Sequence, residues 1–246
     1  MATVELLTQA ITSTPSFILE TFIYALIGGL LPALIWFWFW MHEEHEHHES
    51  KGTITLVFVL GMLGVIVAFI VQKLFIFGYD LNYKDAHSLF IFSMIEEIIK
   101  FLCAYVIAFR TKVYDEPIDA FVYLMSAALG FAALESTLFL INPLLQGDTL
   151  TSIVSGGQRF MGAGLLHVVA SGCLSVFLAY AYFKPRWIKE TVTVIGLLCA
   201  GLLHWLFNFL IIHSEEQSAF IPFAFVWMAT ILLIFSLERV KLIKKF

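Results

Sequence analysis

Glu96, Glu97 and Lys100 lie in the middle of an apolar run, from about Ser88 to Phe109, that is long enough to cross a bilayer. Each charge at the centre of a membrane helix costs roughly 2.5–3.5 kcal/mol, so three facing lipid would cost about 8–10 kcal/mol, comparable to the stability of an ordinary domain. The helix must therefore turn them toward protein or an internal water-filled cavity. Glu96 and Lys100 are four residues apart and Glu97 and Lys100 three, so on a helix both carboxylates can reach one ammonium. A buried ion pair pinning two helices would explain this spacing. So would a functional site, which an intramembrane ionisable cluster commonly marks.

The remainder of the 246-residue chain fits a membrane setting. It is 60% hydrophobic and 13% charged, with a mean hydropathy of +0.89, as expected of a multispanning membrane protein. Seven candidate spans cover about 17–41, 53–78, 88–109, 117–141, 160–183, 191–212 and 219–238. No run shows the short alternation of a barrel strand, so the spans are helices. The expected fold is all-α: a polytopic bundle of about seven transmembrane helices in a single domain, 1–246, with a polar chamber inside the membrane. A net charge of −5 offers no basic patch for nucleic acid. Cys103, Cys173 and Cys199 sit in apolar runs without metal or redox spacing and read as small core residues. The first sixteen residues contain no Lys or Arg, so the first span is expected to act as an uncleaved anchor.

Loop charges suggest an orientation. Lys51, Arg110, Lys112, Lys184, Arg186, Lys189, Arg239, Lys241, Lys244 and Lys245 flank one side, while Lys73, Lys84 and Arg159 lie near span ends on the other. Ten against three predicts a cytoplasmic C-terminus and an outside N-terminus, in what is expected to be a plasma (inner) membrane. Arg159 and Gln158 then read as interfacial anchors. Trp36-Phe37-Trp38-Phe39-Trp40 reads as an aromatic belt closing the first span. The following loop holds His42, His45, His47 and His48 among glutamates. It offers peripheral metal binding, although alternating His and Glu dictate no geometry, and an ordinary flexible polar loop explains it as well.

Further polar residues interrupt the later spans. Glu135 follows the small residues Ser126, Ala127, Ala128, Gly130, Ala132 and Ala133; His167 lies between Gly164 and Ser171; His204 and Asn208 are four apart on one helix face. Singly, each is explained by an interhelical hydrogen bond. Together with Glu96 they fall at one depth, roughly 6–12 Å from the outer boundary at ~1.5 Å per residue. Four consecutive helices with polar groups at one level describe a chamber. Two hydrolytic designs suit it. In one, Glu96 activates a water while His204 and Asn208 donate to the oxyanion. In the other, Glu135, His167 and His204 bind zinc and Glu96 acts as base.

The motifs Glu96-Glu97-x-x-Lys100, Phe131-x-x-x-Glu135 and His204-x-x-x-Asn208, in that order on successive helices, resemble the PrsW intramembrane proteases, within the superfamily of CAAX prenyl endopeptidases and bacteriocin-processing enzymes. The resemblance covers about residues 88–212. It departs at Asn208, where the PrsW pattern usually has Asp. It implies a membrane-embedded peptidase, glutamic or zinc-dependent, that cuts a membrane-anchored protein such as an anti-sigma factor near its extracytoplasmic side. Glu96, Glu97, Glu135, His204 and Asn208 would be catalytic and Lys100 an ion-pair partner. Two other classes fit parts of the sequence. A non-catalytic scaffold of the superfamily would keep the histidines, yet has no need of a general base. A divalent-metal transporter would use the His-rich loop and buried acids, yet Lys100 would repel its cargo.

Overall fold

A computed structural model of the chain describes residues 15–43, 50–82, 84–213 and 220–243. Among them there is no strand. The helices are α1 (Pro15–Glu43), α2 (Lys51–Tyr79), α3 (Ala86–Ala104), α4 (Asp119–Leu145), α5 (Thr149–Ala181), α6 (Arg186–His213) and α7 (Phe220–Val240). Six of these are long and apolar enough to cross a membrane; α3, with Glu96, Glu97 and Lys100, is the exception. The fold is the expected all-α bundle. α3 runs on through a π-helical turn, Tyr105–Phe109, and α5 contains another, Arg159–Ala163.

α4 is the central helix and the most buried, so the bundle is built around its small-residue face rather than around α3. The lack of side-chain bulk there lets neighbours approach to backbone contact, the way membrane helices gain packing without a hydrophobic drive. A Cβ at Gly61 of α2 would meet the backbone of Ala127; one at Gly130 of α4 would meet the carbonyl of Phe58; Gly29 of α1 lies against Ala133 and Thr137. From the crossing at Gly61 and Gly130, α2 and α4 diverge toward Gln72 and Asn142. The wedge between them holds a cavity of about 390 Å³.

Most helix ends fall within a few residues of the expected spans. α5 differs: it starts at Thr149, eleven residues before the expected 160. Gly156 and Gly157 weaken the apolar signal there, but Asp148 caps the helix by accepting from the Thr151 amide at 2.9 Å. Arg159 consequently sits inside a helix and not at an interfacial end. The aromatic belt is also corrected in part. Trp38 and Phe39 face outward, whereas Trp40 is fully buried against Phe121 and Trp36 donates to the carbonyl of Phe160 at 3.0 Å. His42 stacks on Trp38 at the end of α1; His45, His47 and His48 lie outside the described residues.

Candidate active site

Glu97 is the most thoroughly bonded group of the cluster. Its Oε1 accepts from Lys100 Nζ at 2.6 Å and from His204 Nδ1 at 2.7 Å, and its Oε2 accepts from Ser171 Oγ at 3.1 Å. α3, α5 and α6 thus meet on one buried carboxylate, which accounts for two charged side chains in a helix interior. The pairing expected of both glutamates with Lys100 holds for Glu97 alone. His204 directs its Nδ1–H to Glu97, so in the neutral form of the ring Nε2 is a lone pair, facing Glu96 Oε2 at 3.6 Å.

Lys100 has a second partner: its Nζ lies 2.6 Å from His167 Nδ1. An ammonium only donates, so Nδ1 accepts and Nε2 of the neutral ring carries the proton. That Nε2–H donates to Glu135 Oε2 at 2.9 Å. The same oxygen is paired with Arg159, whose Nε donates to Ser136 Oγ at 2.9 Å and whose guanidinium lies over the Phe139 ring at 4.1 Å. Arg159 is therefore a member of the cluster, a correction to its reading as an interfacial anchor.

Glu96 is held differently. Gln72 Nε2 donates to its Oε1 at 3.0 Å, while Oε2 is buried without a hydrogen bond and stands 3.6 Å from His204 Nε2. Glu96 and Glu135 both line the wedge between α2 and α4. The Asn208 side chain, half-buried one turn beyond His204, makes no hydrogen bond among the described residues. The structure thus brings together Glu96, Glu97, Lys100, Glu135, His167 and His204, and leaves Asn208 at the edge. Glu96, Glu135 and His204 stand ten, ten and nine residues from Ala86, Leu145 and His213, or ~14–15 Å along their helices. His167 differs: it stands eighteen residues from Thr149, because α5 starts eleven residues before its expected span.

The donors that fit a metal are Glu96, His167 and His204, whose ligand atoms lie within 4.8 Å of one another. It differs from the expected set of Glu135, His167 and His204 in having Glu96 where that set has Glu135, whose Oε2 is bonded by Arg159 and His167. Two imidazoles and a carboxylate suit zinc. The unbonded Glu96 Oε2 and the free Nε2 of His204 are the lone pairs such an ion needs, and Glu97 supplies the carboxylate that metal-bound histidines carry on their other nitrogen. Zinc held there would need a lone pair of His167, whose two ring nitrogens are engaged by Lys100 and Glu135, so one of those contacts would be given up on binding.

Three members escaped sequence reasoning. Gln72 comes from α2, a helix with no charge in its apolar centre; Arg159 was misplaced by the start of α5; Ser171 read only as a small packing residue. The signal for Gln72 was present: an amide buried in an apolar span needs a partner.

A family model described as PrsW family intramembrane metalloprotease matches residues 49–235, which include every residue of the cluster. Proteins named Protease PrsW are similar. That of Geobacillus kaustophilus is 25% identical over 127 residues, covering 50% of this chain and 51% of the relative. That of Oceanobacillus iheyensis is 24% identical over 66% of this chain and 70% of the relative, and that of Shouchella clausii 20% over 87% and 95%. The match thus spans about half the length of the Geobacillus protein and nearly all of the Shouchella one. No solved structure matches. Together, the family match across most of the chain and the helical membrane architecture place this chain in the PrsW family of intramembrane metalloproteases.

Proposed function

We propose that the chain is a membrane-embedded peptidase whose general base is Glu96. The observation that carries this reading is the state of its Oε2, buried, unbonded and 3.6 Å from His204 Nε2, on a residue that lines the same cavity as Glu135. Glu97 is a poor base by comparison, because both its oxygens already accept, from Lys100, His204 and Ser171. Its role is to orient His204. Glu96 takes the proton of the attacking water and passes it to the leaving amine. His204 Nε2 and the Glu135 carboxylate, both acceptors, hold the attacking water against Glu96, and the Asn208 amide is the group that donates to the oxyanion. Were zinc held by Glu96, His167 and His204 instead, Glu96 Oε2 would be spent on the ion, which would supply Lewis-acid polarisation and a more acidic bound water in place of that base.

The substrate class is a membrane-anchored protein cut near its extracytoplasmic side, anti-sigma factors being the class the family resemblance implies. The ten-to-three loop bias supports an outside N-terminus, and with that orientation the wide end of the wedge faces the outer leaflet. The test is cleavage of a co-reconstituted single-span peptide by the wild type and by Glu96→Gln. Loss of cleavage in a folded variant supports the assignment; full activity removes it.

A further inference from the structure

Two helices that touch at one point and part at another create a space whose shape is set by where they touch. α2 and α4 are in backbone contact at Gly61 and Gly130 and separate toward Gln72 and Asn142. The wedge is walled by Phe69, Leu138 and Phe139, each exposed on the outer surface of the bundle, while Glu96 and Glu135 line its depth. A segment sliding in from the side would pass apolar walls before meeting the carboxylates.

The wedge also carries polar backbone capacity. Pro143 lies inside α4 and lines the space together with Phe139. Proline brings no N–H, so the Phe139 carbonyl, four residues earlier, loses its helical donor. In an apolar setting an unsatisfied carbonyl is expensive and must find a donor. Across the wedge, Gln72 uses its amide N–H on Glu96 and keeps its oxygen as an acceptor. Both acceptors match what an intact membrane helix lacks and an unwound one has: free backbone N–H groups.

We propose that the α2–α4 wedge is the lateral docking site for a helix-unwound, apolar segment of a membrane-anchored substrate, whose free N–H groups pair with the Phe139 carbonyl and the Gln72 side chain. This deepens the peptidase reading and rests on it. The occupant is a single-span polypeptide, because the walls are apolar, the free groups are acceptors, and the space is continuous with the candidate catalytic carboxylates. Specificity then lies in how readily a span unwinds at the level of Glu96, more than in the identity of one side chain.

The test uses the full chain in phosphatidylcholine vesicles with a single-span Leu/Ala-rich peptide carrying a Gly-Ser break near one end of its apolar run. A photoactivatable phenylalanine analogue replaces Phe69 or Leu138, or Leu31 in the separate groove beside α1 as a control. Cross-links to the peptide are expected from the first two positions and not from Leu31. Separately, Pro143→Ala returns an N–H to the Phe139 carbonyl. It should raise KM for the peptide about 3–10-fold, the worth of one hydrogen bond, with kcat little changed. A proline that only shapes the helix would leave KM where it was. If the peptide is cleaved but cross-links at Leu31 instead, or if Pro143→Ala leaves KM unaltered, docking at the wedge is overturned and the peptidase reading survives. If the unmodified chain cleaves no peptide under any condition, the peptidase reading falls and takes this proposal with it.

Discussion

Lys100 Nζ stands 2.6 Å from His167 Nδ1, and this contact decides which nitrogen of His167 faces Glu135. A lysine ammonium cannot accept, so the imidazole proton is driven to Nε2 and donated to the Glu135 carboxylate. Lys100 also neutralises Glu97, which it contacts at 2.6 Å. One buried cation therefore organises two of the five helices of the site, and a neutral substitute would disturb both carboxylates.

Glu96→Gln and Glu97→Gln should separate catalysis from architecture. The first keeps shape and the hydrogen bond to Gln72 but cannot take a proton, so cleavage should fall about 10²–10⁴-fold in a normally folded protein. The second leaves Lys100 without its buried counter-charge, which can destabilise by about 3–5 kcal/mol. Its signature should be lower yield and a lower Tm in detergent, with activity per folded molecule reduced less. An active Glu96→Gln beside a folded, inactive Glu97→Gln would reverse the roles.

Arg159→Met should release Glu135. Both side chains of that pair retain partial exposure, 15% and 21%, so solvent screening brings the expected loss of stability down to about 1–3 kcal/mol. Arg159→Lys should restore part of it, since one ammonium cannot serve Glu135 and Ser136 with the planar fork of a guanidinium. Thermal unfolding and peptide cleavage on both variants read this out; equal behaviour of Met and Lys would show that charge at this position is immaterial.

Metal content can be measured directly. Protein purified without chelator should carry about one zinc per chain, bound through Glu96, His167 and His204, and His204→Ala should lose it. Zinc retained in full by both His204→Ala and His167→Ala would place the ion elsewhere. A metal-free protein with full activity would favour water activated by Glu96 alone.

Replacing His42, His45, His47 and His48 together with Ser should leave cleavage nearly unchanged. His42 is exposed at the far end of α1, and the remaining three follow it in sequence. A large loss of cleavage with an unchanged Tm would mean that this stretch serves the site.

Gly130→Leu should be among the most damaging apolar substitutions. Its Cβ would run into the Phe58 carbonyl, which has no rotamer to escape by, so α2 and α4 must part. Overpacking of this kind costs about 1–3 kcal/mol or more. A Tm unchanged from wild type would show that the crossing is looser than its geometry implies.

The sequence was most legible where physics allowed few alternatives. Glu96, Glu97 and Lys100 could not face lipid, and the spacing of Glu97 and Lys100 foretold their ion pair. Glu135, His167 and His204 were found for the same reason, as titratable groups in apolar spans. Less legible was how the carboxylates divide the work: Glu96 turns to Gln72 and Glu97 to Lys100, a choice made by neighbouring helices that periodicity does not describe. Arg159 was misread because Gly156 and Gly157 lower the hydropathy just where Asp148 starts the helix. The aromatic run was only half legible, since Trp36 and Trp40 serve as packing residues.

The π-helical turn at Arg159–Ala163 has an angular consequence. Arg159 and His167 are eight residues apart, yet both bond Glu135 Oε2. At roughly 100° per residue, eight positions of an unbroken α-helix leave two side chains about 80° out of line. A π-bulge absorbs one residue, so the effective separation is seven positions, within about 20° of two full turns. The bulge works as a phase correction that brings a cation and an imidazole onto the same oxygen. A chain shortened by one residue at the exposed Met161 would run as plain α-helix through this segment and keep the same alignment. Straightening the turn without a deletion would swing Arg159 off Glu135.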